Sequence, residues 1–202
     1  MKIILKNNQK AYKYIVPNFR VILSKMFFRI KKIKGKEYVY IVENEWKTTA
    51  KLVGTLRGTK PKGSRQKVIS YIGKSYRFEL LNDIDFLQFM RIEDLQGYIQ
   101  NNHKNQIIHD LIEWEFFRFG VSKKEFSIDL NNLKIQKNKK NVTFLINDGF
   151  LCNITLRNLI NFKTAGDEQN DGYRLARAFV EAGIKVSQEV FIGLFGKLYK
   201  VK

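Results

Sequence analysis

Hydrophobic and polar positions change period partway along this chain, and that change divides it into two parts. Phe28-Arg-Ile-Lys-Lys-Ile-Lys34 alternates apolar and basic residues. After Gly35-Lys36 comes Glu37-Tyr-Val-Tyr-Ile-Val-Glu-Asn44, rich in aromatic and β-branched side chains. Two such runs around a short glycine-containing connection predict a β-hairpin. A third strand is expected over Arg65–Ile72, stopped by Gly73. Strict alternation along it would put Val68, Ser70 and Ile72 on one face and Lys67, Ile69 and Tyr71 on the other. Residues 1–25 alternate without a clean period, interrupted by Pro17, and a basic Gly/Thr-rich stretch joins strands two and three.

Beyond residue 80 the period becomes helical. A helix capped by Asn82 or Asp83 is expected to run to about Ile99, and a second from about Asn105 to Phe119, closed by Gly120. Ser122-Lys-Lys-Glu125 has capping-box spacing. Short strands are expected at Ser127–Leu130, Leu133–Gln136 and Asn141–Ile146, with Asn147-Asp-Gly149 as a turn. Thr155–Lys163 reads as a short helix and Thr164–Asp171 as a linker. Two amphipathic helices follow at Gly172–Ala182 and Gln188–Tyr199. The fold class expected is α+β: an N-terminal three-stranded antiparallel basic sheet in residues 1–80, then a mixed, mainly helical domain with a small antiparallel sheet in 81–202.

Charge sharpens that division. The 202 residues carry 37 Lys+Arg against 19 Asp+Glu, a formal net charge of +18. Residues 1–80 hold 20 of those cations and only four acids (Glu37, Glu43, Glu45, Glu79). The remaining 122 residues are close to balanced, with 17 cations and 15 acids. A half-chain asymmetry of this kind is the footprint of a polyanion partner. The expected contacts to phosphate are Arg29, Lys31, Lys32, Lys34, Lys36, Arg65 and Lys67 on the strands and Lys47, Lys51, Arg57, Lys60 and Lys62 in the loop. Tyr38, Tyr40 and Tyr71 are placed to stack on bases or to pack under the sheet.

The segments Met26–Asn44 and Ser64–Lys74, with their Tyr-Val-Tyr-Ile-Val-Glu and Arg-Gln-Lys-Val-Ile-Ser-Tyr-Ile-Gly-Lys runs, resemble the N-terminal region of IS4/IS1634-type transposases. The resemblance covers about a quarter of the chain and implies a DNA-associated sheet. It departs from the family in a longer loop between strands two and three, and in lacking the large RNase H-like catalytic domain. Residues 81–202 resemble, more loosely, proteins of archaeal viruses and plasmids. Association with double-stranded DNA, favoured over RNA, is therefore the expectation, in a mobile-element or viral setting inside the host cell or packaged in a virion.

Catalytic chemistry has little to stand on. One cysteine excludes an intramolecular disulfide framework, and no phosphate-loop or dinucleotide motif is present. His109 and Glu113, four apart with Asp110 and Glu115 nearby, are the one arrangement that suggests a metal-dependent nuclease. The expectation is a non-catalytic binder without metal or cofactor. The nuclease and a structural or adaptor protein are the alternatives. Cys152 reads as a small core residue. No segment is long and apolar enough to span a bilayer, and residues 172–199 offer apolar stripes for the core, a second copy or a protein partner.

Overall fold

The structure is a computed structural model in which residues 26–45 and 65–200 are described. Three N-terminal strands, β1 (Met26–Ile33), β2 (Lys36–Glu45) and β3 (Arg65–Arg77), are successively antiparallel. Lys34 and Gly35, both at positive φ (48° and 74°), make the two-residue turn between β1 and β2. That geometry matches the twist of a hairpin.

The expected three-stranded sheet is not a closed unit. Arg65–Arg77 continues through Gly73, and its last residues pair in parallel with β6 (Lys140–Ile146), from Lys74 opposite Val142 to Arg77 opposite Leu145. Among the described residues a mixed seven-stranded sheet results. Its order is β1-β2-β3-β6-β5-β4, where β4 is Ser127–Asp129 and β5 is Lys134–Lys137; β7 (Gly149–Leu151) pairs with β6. Gly73 does not stop the strand because it is needed within it. A Cβ there would lie 2.4 Å from the Asn141 carbonyl oxygen, so only glycine lets the backbones approach.

The register of β3 against β2 shifts twice, between Val39/Tyr40 and between Ile41/Val42, leaving Ile72 and Ile69 as extra residues. Each bulge advances the alternation by one residue. Lys67 and Tyr71 therefore fall on opposite faces, and Ser70 shares a face with Lys67 rather than with Val68.

The described residues also form six helices: α1 (Phe86–Met90), α2 (Leu95–Asn101), α3 (Lys104–Arg118), α4 (Asn153–Ile160), α5 (Glu168–Ala182) and α6 (Gln188–Lys200). The single helix expected over 82–99 is broken into α1 and α2. Asp85, not Asn82 or Asp83, caps α1 by accepting from Gln88 N–H at 3.0 Å, and Arg91 in the left-handed region ends it. Of the linker expected over 164–171, residues 164–167 are loop and Glu168 to Asp171 form the first turn of α5. Asp167 accepts from Asn170 N–H at 3.1 Å, and Asp171 is fully buried within the first turn. Its carboxylate takes the Ala165 and Gly166 N–H groups at 2.7 and 3.0 Å, the Tyr199 hydroxyl at 2.8 Å and the Arg174 guanidinium at 2.5 Å. The loop is thereby fastened to both terminal helices.

The main core lies between the helices and one face of β6, with Phe144 packed edge-on against Phe116 of α3, Phe126 and Phe78. A smaller core lies on the opposite sheet face. There Val39, Ile41, Ile72, Leu145 and Cys152 meet Phe28, Ile30, Phe150 and Ile154, and the Phe28 and Phe150 rings stack at 4.8 Å. Cys152 is a buried core residue whose thiol burial pushes up in pKa. No described helix is long and apolar enough to cross a membrane.

Candidate nucleic-acid interface

The pairing register sorts the side chains of β1–β3 by face, because residues directly opposite in an antiparallel pair point the same way. Phe28, Ile30, Val39, Ile41 and Ile72 point into the smaller core. The other face presents Arg29 and Lys31 from β1, Lys36, Tyr38 and Tyr40 from β2, and Tyr71 and Lys74 from β3, and it also carries Val42, which is fully buried. It is the continuation of the surface that the helices cover at β6. Beyond Tyr76, whose ring packs on Phe126 at 5.1 Å, β1 and β2 pack chiefly on their strand neighbours.

Charge separates by the same rule. Glu37, Glu43 and Glu45, the acids of these three strands, occupy odd positions of β2 and so all point to the core side. Two of them are paired at its rim, Glu37 with Arg77 at 3.0 Å and Glu45 with Lys67 at 3.2 Å. The aromatic face carries no carboxylate from β1, β2 or β3. Its cations are balanced by nothing on their own strands.

Three tyrosines form the centre of this face. Tyr71 lies 6.3 Å from Tyr38 and 5.3 Å from Tyr40, ring centre to ring centre, and is 55% exposed. Lys31 Nζ sits 4.8 Å above the Tyr40 ring, and Lys74 Nζ 4.6 Å above Tyr76. Partial burial, together with the neighbouring Tyr40, Tyr38 and Tyr76, raises the Tyr71 phenol above its ordinary pKa. The Tyr71 phenol therefore stays neutral at physiological pH. Val68 and Ile33 on this face, and the bulged Ile69, are also exposed.

The residues expected to meet phosphate are thus divided. Arg29, Lys31 and Lys36 join Tyr38, Tyr40 and Tyr71 on one surface, whereas Lys32, Arg65 and Lys67 point to the other. Lys34 occupies the hairpin turn. Lys47, Lys51, Arg57, Lys60 and Lys62 lie outside the described residues. Lys74 is an addition that the sequence conceals, because Gly73 reads as a strand end. The signal for it is the Tyr71-x-Gly-Lys-x-Tyr76 pattern, which continues the strand across the glycine.

The acids around His109 are engaged in other contacts. Asp110 accepts from the Tyr98 hydroxyl at 2.6 Å and from Gln106 at 2.8 Å, and Glu113 pairs with Lys123 at 2.6 Å. Glu115 points into the core, accepting from Lys185 N–H at 2.7 Å and from Arg118 at 3.0 Å. Among the described residues no three His, Cys, Asp or Glu side chains cluster as metal ligands. Lysines of the helical part also have internal roles. Lys197 Nζ donates to the Ile99 and Gln100 carbonyls at the end of α2, and Lys104 Nζ to those of Ile160 and Phe162 at the end of α4.

No protein family, no curated protein and no solved structure matches this chain.

Proposed function

We propose that this chain is a non-catalytic nucleic-acid-binding protein that works through the basic, aromatic face of β1–β3. The observation that carries the reading is the segregation of charge by face. Arg29, Lys31, Lys36 and Lys74 surround the exposed Tyr71 and the half-buried Tyr38 and Tyr40 on a surface without a strand carboxylate, while the strand acids lie on the opposite side. A basic face of this kind attracts a polyanion over long range, and aromatic rings among the cations favour nucleic acid over a simple anionic surface. Mechanistically, the cations replace condensed counterions along the phosphate backbone. The helical part packs on the continuation of the same sheet face at β6 and anchors the strands there. The reading agrees with the DNA association that the resemblance of residues 26–74 to transposase N-termini implies, and it includes no strand cleavage or joining.

The test is a fluorescence-anisotropy titration of labelled oligonucleotides between 50 and 200 mM salt. Binding at 50 mM that weakens steeply and log-linearly with salt is expected. Absence of binding to any DNA or RNA at 50 mM salt refutes the proposal.

A further inference from the structure

We infer that Tyr38, Tyr40 and Tyr71 form a stacking platform for unpaired bases, so that the ligand of this face is single-stranded nucleic acid. The inference rests on the nucleic-acid reading above and narrows it. Its first support is width. Strands lie about 4.8 Å apart, so three of them span about 10 Å between the outer backbones and about 15 Å with the outer strands' own breadth. The DNA major groove, about 12 Å wide, admits a two-stranded ribbon but not this sheet lying flat. Narrowing the sheet would require removing β1 from β2, which is paired along its whole length from Met26–Glu43 to Ile33–Lys36.

The second support is the exposure of Tyr71, flanked by the half-buried rings of Tyr38 and Tyr40. The core on the other face is complete without these tyrosines, and Tyr71 is more than half exposed between its two neighbours. Aromatic surface held in the open at the centre of a basic face suits the π-face of a base, which only an unpaired nucleotide can turn toward it. The cations lie to either side of the rings, Arg29 and Lys31 on the β1 side and Lys74 on the β3 side. A strand crossing the sheet then meets positive charge on both sides of its stacked bases. Lys31, poised over Tyr40, gives up a ring contact and gains a phosphate when a base arrives. Because every base has a π-face, this mode carries little sequence preference.

The experiment compares fluorescein-labelled (dT)15, (rU)15 and a 15-base-pair duplex at one salt concentration, using the full chain and its Tyr71→Leu, Tyr40→Leu and Tyr71→Phe variants. Single strands are expected to bind more tightly than the duplex. Tyr71→Leu should weaken single-strand binding by about 5- to 150-fold, the worth of one stacked base, and weaken duplex binding much less. Tyr71→Phe keeps the ring and should stay within about 2-fold of the parent, since stacking does not use the hydroxyl. Tighter binding to the duplex, or single-strand affinity unmoved by both leucine substitutions, overturns the platform while leaving nucleic-acid binding intact. Failure to bind any of the three probes at 50 mM salt removes the broader reading and this one together.

Discussion

If the two faces of the N-terminal sheet differ in function, equal losses of charge must have unequal effects. Replacing Arg29, Lys31, Lys36 and Lys74 by Gln removes four positive charges from the aromatic face. Replacing Lys32, Arg65, Lys67 and Arg77 by Gln removes four from the core-side rim. A contact to phosphate contributes about 0.7 to the slope of log affinity against log salt for a single strand and about 0.9 for a duplex. Over a fourfold rise in salt, four such contacts lower affinity by about 50-fold for a single strand and about 150-fold for a duplex. The aromatic-face variant should therefore lose most of this salt sensitivity, its slope flattening by about 3 units. The rim variant should keep the parent slope, because Lys67 and Arg77 already neutralise Glu45 and Glu37. Breaking those exposed pairs costs at most about 1 kcal/mol each, too little to unfold the sheet. Anisotropy titrations from 50 to 200 mM salt, with circular dichroism to verify folding, read the difference. Equal flattening in both variants would refute the face assignment and leave only a diffuse effect of net charge.

Three further predictions concern the framework behind the interface. Asp171→Ala should cost about 3–5 kcal/mol, because it strands the Arg174 guanidinium and several donors around a fully buried position, and thermal denaturation should show a drop of roughly 10 °C. Burial by itself would raise the Asp171 pKa, but the Tyr199 hydroxyl, the Ala165 and Gly166 N–H groups and Arg174 outweigh it and hold the carboxyl below its ordinary value. Its folded pKa being depressed, this stabilisation is full above the ordinary carboxylate pKa and disappears as pH falls through the folded value. An Asp171→Asn chain should lack that acid-side loss in urea titrations at stepped pH. Glu115→Ala leaves Arg118 buried and unpaired and should destabilise by about 3–5 kcal/mol, whereas the double variant Glu115→Leu/Arg118→Met should recover most of it in chemical denaturation. Gly73→Ala drives a methyl into the Asn141 carbonyl and should cost about 1–3 kcal/mol, with faster hydrogen exchange at the amides of 142–145 as the local readout.

Local pattern carried much of this protein. The Phe28–Asn44 hairpin follows from two alternating runs around a glycine, and α3 from a 3.6-residue apolar period closed by Gly120 at φ 58°. Ser187 at the start of α6 and Gly183 at the end of α5 also act as their residue types predict, because a cap depends only on neighbours in sequence. What no local pattern contains is the pairing of Lys74–Arg77 with Val142–Leu145, a contact across some 68 residues. That pairing turns Gly73 from an apparent stop into a residue the strand requires. The two bulges are equally invisible, since they arise from fitting β3 to β2, and they decide which side chains share a face. Asp171 looked like part of a polar linker because composition cannot show that Tyr199 and Arg174 close around it.

The sequence by itself determined that the first 80 residues are basic and that strands run through them, since composition and period are local properties. Only the tertiary structure decided that these cations are not one population. The register places some beside exposed tyrosines and others against glutamates on the far side. For β3 that distinction depends on two bulges against β2 and on a continuation alongside β6, and both are set by how the strands fit together rather than by local sequence.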